Sequence, residues 1–207
     1  MPSRFRKADG LHGNVPDNAP VVLMLVDVIN DLDFPENDQL VRKAARLGRS
    51  IAAIKRRCIE AGIPTIYVND NRGKWRSDFK AVLSRCAKPG TAGWPLISPL
   101  LPHTSDYIVL KPKHSAFYAT PLDTILTYLK TKTVILAGLT TAACVLLTAG
   151  EIYVRDLTLY VPSDCVAALR QADQSKALYI MRRSFRAVTT PSRKLNLKKL
   201  RDNAGVR

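Results

Sequence analysis

The chain has 207 residues, 46% of them apolar and 24% charged, which fits one soluble domain with a core that needs no staples. Thirty-two Lys and Arg stand against 17 Asp and Glu, a formal +15 with a pI near 10. The best apolar run, Val21–Val26, stops at Asp27, well short of the roughly 18 residues of a membrane span. Met1–Gly13 has no apolar signal core, so a cytoplasmic protein without a membrane segment is expected.

Residues 1–20 are polar and contain Pro, Asn and Gly, the composition of an arm. Val21–Val26 is unbroken in its apolarity, as a strand buried on both faces of a parallel sheet requires. Asp31–Asp38 is turn-like and suited to capping a helix. From Gln39 to Ala61 the residues Leu40, Ala44, Leu47, Ile51, Ile54 and Cys58 step alternately by four and three, one face of an amphipathic helix. Gly62 ends it, and Ile63–Val68 reads as a second strand.

The stretch from Ala87 to Ser105 holds Pro89, Gly90, Gly93, Pro95, Pro99 and Pro102 and is expected to be a lid or binding loop. Tyr107–Leu110, Val134–Ala137 and Thr158–Val161 read as strands, and Ala187–Thr189 as a last short one. Leu122–Lys130 and Gln171–Arg183 read as helices, and Thr141–Val154 as a helix apolar almost all round, hence buried. Strands alternating with helices imply right-handed crossovers and a mainly parallel, three-layer α/β/α sheet. The division expected is an arm at 1–20, a globular domain at 21–192 and a basic tail at 193–207.

The four cysteines, Cys58, Cys86, Cys144 and Cys165, contain no Cys-x-x-Cys pair and are expected to be reduced thiols. Charge gathers at the C-terminus, where Arg182–Arg207 carries nine cations and one anion. Such a segment fits a solvated terminus, in which case removing the residues after Ser192 leaves folding nearly intact. It also fits weak, non-specific contact with a polyanion, without an aromatic platform or base-reading motif.

In open α/β sheets the site lies beyond the carboxyl ends of the strands. Asp27 follows the first strand, Asn69 and Asp70 the second and Lys111 the third, while Gly138–Cys144 joins the next strand to a helix. A thiol in a first helical turn beside a cation is expected to be partly thiolate. Asp27 is placed to take a proton and return it to a leaving group, and amides around Thr140 and Cys144 to hold an oxyanion. Taken singly, Cys144 equally suits a small buried apolar residue, Asp27 a turn cap, and Lys111 a surface lysine.

Three segments carry a resemblance: Leu25–Asp31, Val109–Phe117 and Ala137–Val145. In order and in placement after strands they resemble the signature blocks of the isochorismatase-like cysteine hydrolases, which include nicotinamidases and N-carbamoyl amide hydrolases. The resemblance runs from about Pro20 to Ser192, and Val161–Ala168 is similar to the stretch after the family's nucleophile. It implies a doubly wound sheet bearing an Asp27–Lys111–Cys144 triad, with Cys144 forming a thioester. It also implies an oxyanion hole of the Thr140 and Cys144 amides beside a cis peptide preceding Thr140, and a homo-oligomer, dimer or tetramer.

Nicotinamidases carry an Asp-x-His zinc motif after the second strand, where this chain has Asn69-Asp70-Asn71. His12, His103 and His114 lie far from that position in sequence, so neither metal nor cofactor is expected. Asn30, Trp75 and Phe117 are the expected pocket residues. The function expected is metal-independent hydrolysis of a small amide or carbamoyl C–N bond. The alternatives are a basic, nucleic-acid-binding protein on a hydrolase-like scaffold, and a Mg²⁺ hydrolase using Asp27, Asp31 and Asp70.

Overall fold

Alternation along the first strand, β1 (Val21–Val26), divides the core in two. In the computed structural model, which describes residues 18–73, 76 and 78–205, Val21, Leu23 and Leu25 face one side of the sheet. Val22, Met24 and Val26 face the other, as the two-residue period of a strand demands. Along the chain β1 is succeeded by α1 (Asp38–Glu60), β2 (Thr65–Asp70), α2 (Phe79–Cys86), α3 (Trp94–Ile97), β3 (Tyr107–Lys111) and α4 (Leu122–Tyr128). Then come β4 (Thr133–Leu139), α5 (Leu146–Tyr153), β5 (Thr158–Tyr160), β6 (Val166–Ala167), α6 (Gln171–Ser184) and α7 (Leu197–Gly205).

The strands pair in parallel in the order β3-β2-β1-β4-β5, with β6 beside β4. The order reverses between β1 and β4, which makes the sheet doubly wound and places its switch point there. Helices α1, α2, α3 and α7 pack on one face, and α4, α5 and α6 on the other. Among the described residues no helix is long and apolar enough to cross a membrane.

Four expectations are corrected. The Ala87–Ser105 stretch is no open lid: Leu96, Ile97 and Leu100 are fully buried against α1 and the sheet. Its Pro95 and Pro99 stand in the first turns of α3 and of a 3₁₀ turn at Ser98–Leu100, where a missing N–H costs nothing. Residues that read as loop punctuation therefore start helices. A buried network anchors the far end of the stretch: Lys55 Nζ lies 2.6 Å from Asp106 Oδ2 and donates at 2.9 Å to the Tyr67 hydroxyl, which donates to Leu100 O at 2.8 Å.

Second, Thr141–Val154 divides into a π-helical turn at Thr141–Val145 and the helix α5. Helix α5 buries Thr148, Ala149 and Ile152 but exposes Leu147, while Val154 just beyond it is exposed too, so the segment is two-sided rather than buried all round. Third, Ala187–Thr189 makes only a single bridge, Val188 to Tyr160.

Fourth, the described part of the C-terminal segment is folded. Leu195 and Leu197 are buried, two apolar anchors that the surrounding charge obscures in the sequence. Arg57 donates to the carbonyls of Ser192 at 2.9 Å and Leu195 at 2.5 Å, and Arg201 donates to Ala61 O at 2.8 Å. At the other end, Ala19 is buried and its N–H donates to Leu129 O, so the last residues of the expected arm already belong to the fold. Residues 1–17 lie outside the described part.

Candidate active site

The parallel register delivers the reactive side chains together. Val26 pairs with Val68 and Gly138, and Asp70 with Lys111, so four strands end at nearly one level. Asp27 comes immediately after β1, in the left-handed region with φ of 52°. Its N–H donates to Val68 O at 2.9 Å, and its Oδ1 accepts from the Asp70 N–H at 2.8 Å. A non-glycine residue held there is a costly conformation of the kind that clusters at functional sites.

Lys111 is fully buried and is the hub. Its Nζ lies 2.8 Å from Asp27 Oδ2, 3.6 Å from Asp70 Oδ2 and 3.6 Å from Cys144 Sγ, and it donates to Lys113 O at 3.2 Å. Cys144 comes from the other side of the switch point, in the π-helical turn. Gly138 permits the approach: with φ of +125°, a Cβ on it would lie 1.9 Å from Val26 O. The peptide between Leu139 and Thr140 is cis.

Burial raises the Asp27 carboxyl above the ordinary range, against the opposing pull of Lys111. Burial alone would lower Lys111, but Asp27, Cys144 and Asp70 outweigh it and hold the ammonium charged. The Cys144 thiol is pushed up to about 12 by burial and by the Asp27 charge, with Lys111 only partly compensating. This runs against the expectation of a partial thiolate: burial first, and the Asp27 charge second, outweigh a helix start and a neighbouring cation.

Above the hub opens a cleft of about 410 Å³, whose lining includes Asp27, Cys144, Thr140, Asn30, Arg72 and His114. Asn30 and Thr140 thus stand where they were expected. Phe117 does not line it: this ring is buried in the core, with the Arg155 guanidinium 4.2 Å from its centroid. Trp75 lies outside the described residues.

His114 is the residue that sequence reasoning left aside, and its Nδ1 lies 3.5 Å from Cys144 Sγ. Its position follows from the path of the chain rather than from any motif. Lys111 ends a strand and the Ala116 N–H bonds Thr148 Oγ1 on α5, so the residues between must cross the strand ends beside Cys144.

The acidic trio considered for Mg²⁺ is divided. Asp31 pairs with Arg72 and, at 3.3 Å, with Arg85; burial raises its carboxyl, but these contacts and the Asp33 N–H outweigh burial and hold it low. Asn69 donates to Ile29 O at 2.8 Å, tying the end of β2 to the segment after β1, and Asn71 closes a local turn by accepting from the Gly73 N–H at 2.8 Å, so both side chains are engaged. Among the described residues no three His, Cys, Asp or Glu gather as a metal cage.

Comparison with known proteins agrees with this fold. The chain is 34% identical over 173 residues to the uncharacterized isochorismatase family protein YaaI of Bacillus subtilis, covering 83% of this chain and 94% of that one. It is 28% identical over 186 residues to the ureidoacrylate amidohydrolase RutB of Methylobacterium radiotolerans, 70% of each chain. Among solved structures, N-carbamoylsarcosine amidase from Thermoplasma acidophilum aligns with a TM-score of 0.64 at 26% identity, over 85% of this chain and 98% of that one. The model of the isochorismatase domain matches residues 21–192, from the first residue of β1 to the serine whose N–H and hydroxyl bind Asp164, and the chain belongs to that family.

Proposed function

We propose that this isochorismatase-family hydrolase cleaves a small amide or carbamoyl C–N bond through a thioester on Cys144. One observation carries the reading: a buried ammonium touches both a carboxylate and a thiol at the floor of a cleft. The cleft's size suits a small molecule. Two of the relatives are named for amide hydrolysis, one a ureidoacrylate amidohydrolase and one an N-carbamoylsarcosine amidase.

Asp27 takes the Cys144 proton, and the sulfur attacks the carbonyl carbon. Proton transfer exchanges one ion pair for another, because Lys111 loses the Asp27 charge as it gains the thiolate. The carbonyl oxygen becomes an oxyanion facing the Thr140 and Cys144 amides. Collapse breaks the C–N bond, and Asp27 returns its proton to the departing nitrogen. Water then adds to the thioester, giving Asp27 a proton, and the acid leaves as the thiol is restored.

The test is a panel of small amides and carbamoyl compounds with ammonia release as readout, followed by mass spectrometry of the acid-quenched enzyme. An adduct of the acyl mass on the Cys144 peptide, absent from Cys144→Ala, is expected. Turnover that survives in Cys144→Ala overturns the thioester.

A further inference from the structure

At the cleft, positive charge is neutralised, with Asp27 and Asp70 on Lys111 and Asp31 on Arg72 and Arg85. Along α1 it is not. Lys43, Arg46 and Arg57 share one side of this helix, since 3.6 residues per turn returns steps of three and fourteen to nearly the same direction. The fourteen residues span about 21 Å. Two clefts run along that side. One, of about 290 Å³, has Lys43 and Arg46 in its lining, and the other, of about 400 Å³, has Arg57, Arg193, Lys194 and Lys198.

Among the described residues no carboxylate pairs with Arg46, Arg57, Arg193, Lys194 or Lys198. Glu60 is the acid lining the larger cleft; Asp164 lines the smaller one, with both oxygens held by Ser192. Nor do these cations hang on a free thread. Buried Leu195 and Leu197, and the carbonyls bound by Arg57, fix the segment against α1. Much of the ordering cost of a charged tail is therefore met on folding rather than on binding.

We propose that the groove between α1 and the C-terminal segment binds the phosphate backbone of a single nucleic-acid strand without reading its bases. Arg193, Lys194 and Lys198 suit a thread of phosphates, and Arg57, whose guanidinium is held by the Ser192 and Leu195 carbonyls, adds its charge to the same cleft. Neither cleft has an aromatic side chain in its lining, so bases gain no stacking platform and sequence is not read. The larger cleft lies where α1 ends and β2 has yet to begin, at the edge of the sheet opposite Asp27. Strand binding in this larger cleft therefore leaves the substrate cleft open and does not depend on the hydrolytic reading, whereas the smaller cleft lies nearer to it, its Val166 and Ala167 pairing with Gly138 and Leu139.

The experiment measures fluorescence anisotropy of a labelled 20-nucleotide oligothymidine with the full chain, from 50 to 200 mM KCl. Arg193→Ala/Lys194→Ala/Lys198→Ala is expected to weaken binding at least tenfold. It should also make the slope of log affinity against log salt shallower by about 2, at roughly 0.7 per lost phosphate contact. Lys80→Ala/Lys88→Ala/Lys132→Ala removes the same formal charge from exposed positions elsewhere and is expected to change affinity less than twofold. Equal losses in the two triples overturn the proposal in favour of net charge alone. If the first triple fails to fold, Lys194→Ala/Lys198→Ala decides the matter, with binding expected to weaken threefold or more and an unchanged affinity overturning the proposal. Binding to phosphatidylglycerol vesicles without binding to the oligonucleotide overturns the proposal in favour of a membrane surface.

Discussion

The ammonium of Lys111 is held more closely by Asp27, at 2.8 Å, than by the sulfur of Cys144, at 3.6 Å. In the resting site the cation therefore belongs to the carboxylate, and burial helps the thiol keep its proton. Only when Asp27 accepts that proton does Lys111 become free to balance a thiolate. In the proposed reaction the same three residues serve as an acid, a base and a charge that passes between them.

The acid side of the pH profile is set by the same arrangement. Asp27 must be ionised to accept the thiol proton, so kcat/KM is full above its pKa and falls as pH drops through it. Because burial raises that pKa, the fall should have its midpoint above the ordinary carboxylate range. Asp27→Asn, which tolerates the left-handed backbone, should cost roughly 10²- to 10⁴-fold and remove that limb. An unchanged profile in this variant would show that another group sets it.

Alkylation by iodoacetamide tests the resting thiol. With Cys144 pushed up to about 12, its rate should be slow at pH 7 and rise about tenfold per pH unit through pH 10 without a plateau. Cys58 and Cys165, fully buried and also raised to about 12, should react only on unfolding. A plateau below pH 8 at Cys144 would reinstate the thiolate.

Lys111→Met bears on stability as well as on chemistry. Placed at a strand end, Lys111 reads in the sequence as removable at little cost; fully buried between two carboxylates, it is not. Its loss leaves Asp27 an unpaired buried charge and should destabilise by about 3–5 kcal/mol in urea titration. Asp27→Asn/Lys111→Met should recover part of that loss, and a double variant no more stable than the single would sink the explanation.

Ending the chain after Ser192 should likewise destabilise it. The truncation removes buried Leu195 and Leu197, at about 1.5–3 kcal/mol each, and strips Arg57 of the Leu195 carbonyl. A lower urea midpoint is expected, and an unchanged one would return the segment to solvent.

Patterns that repeat over many residues are what the sequence displayed. The four-three stepping from Leu40 to Cys58, the apolar run of β1 and the alternation of strands with helices placed the sheet, and with it Asp27, Lys111, Thr140 and Cys144 at one edge. Short or sparse signals failed. Pro95 and Pro99 are turn residues by composition and helix starters by position. Leu195 and Leu197 anchor the C-terminal segment together with the Arg57 and Arg201 hydrogen bonds, though net charge hid the two leucines. His114 required knowing that the loop after β3 returns across the strand ends to α5. The state of the thiol depends first on its burial and then on the Asp27 charge beside it, neither of which a spacing along the chain encodes.

The Lys55–Tyr67–Asp106 network bears on how the molecule meets alkali. The Tyr67 hydroxyl is raised well above the ordinary phenol range by burial and by the nearby Asp106 charge, and it is engaged by both Lys55 and Leu100. As long as β2 stays in the sheet, that phenol has no route to ionise. In an ultraviolet absorbance titration its phenolate should emerge only together with the collapse of the far-ultraviolet dichroism, as one abrupt step. A single ring at the centre of the sheet thus serves as a built-in optical reporter of global opening.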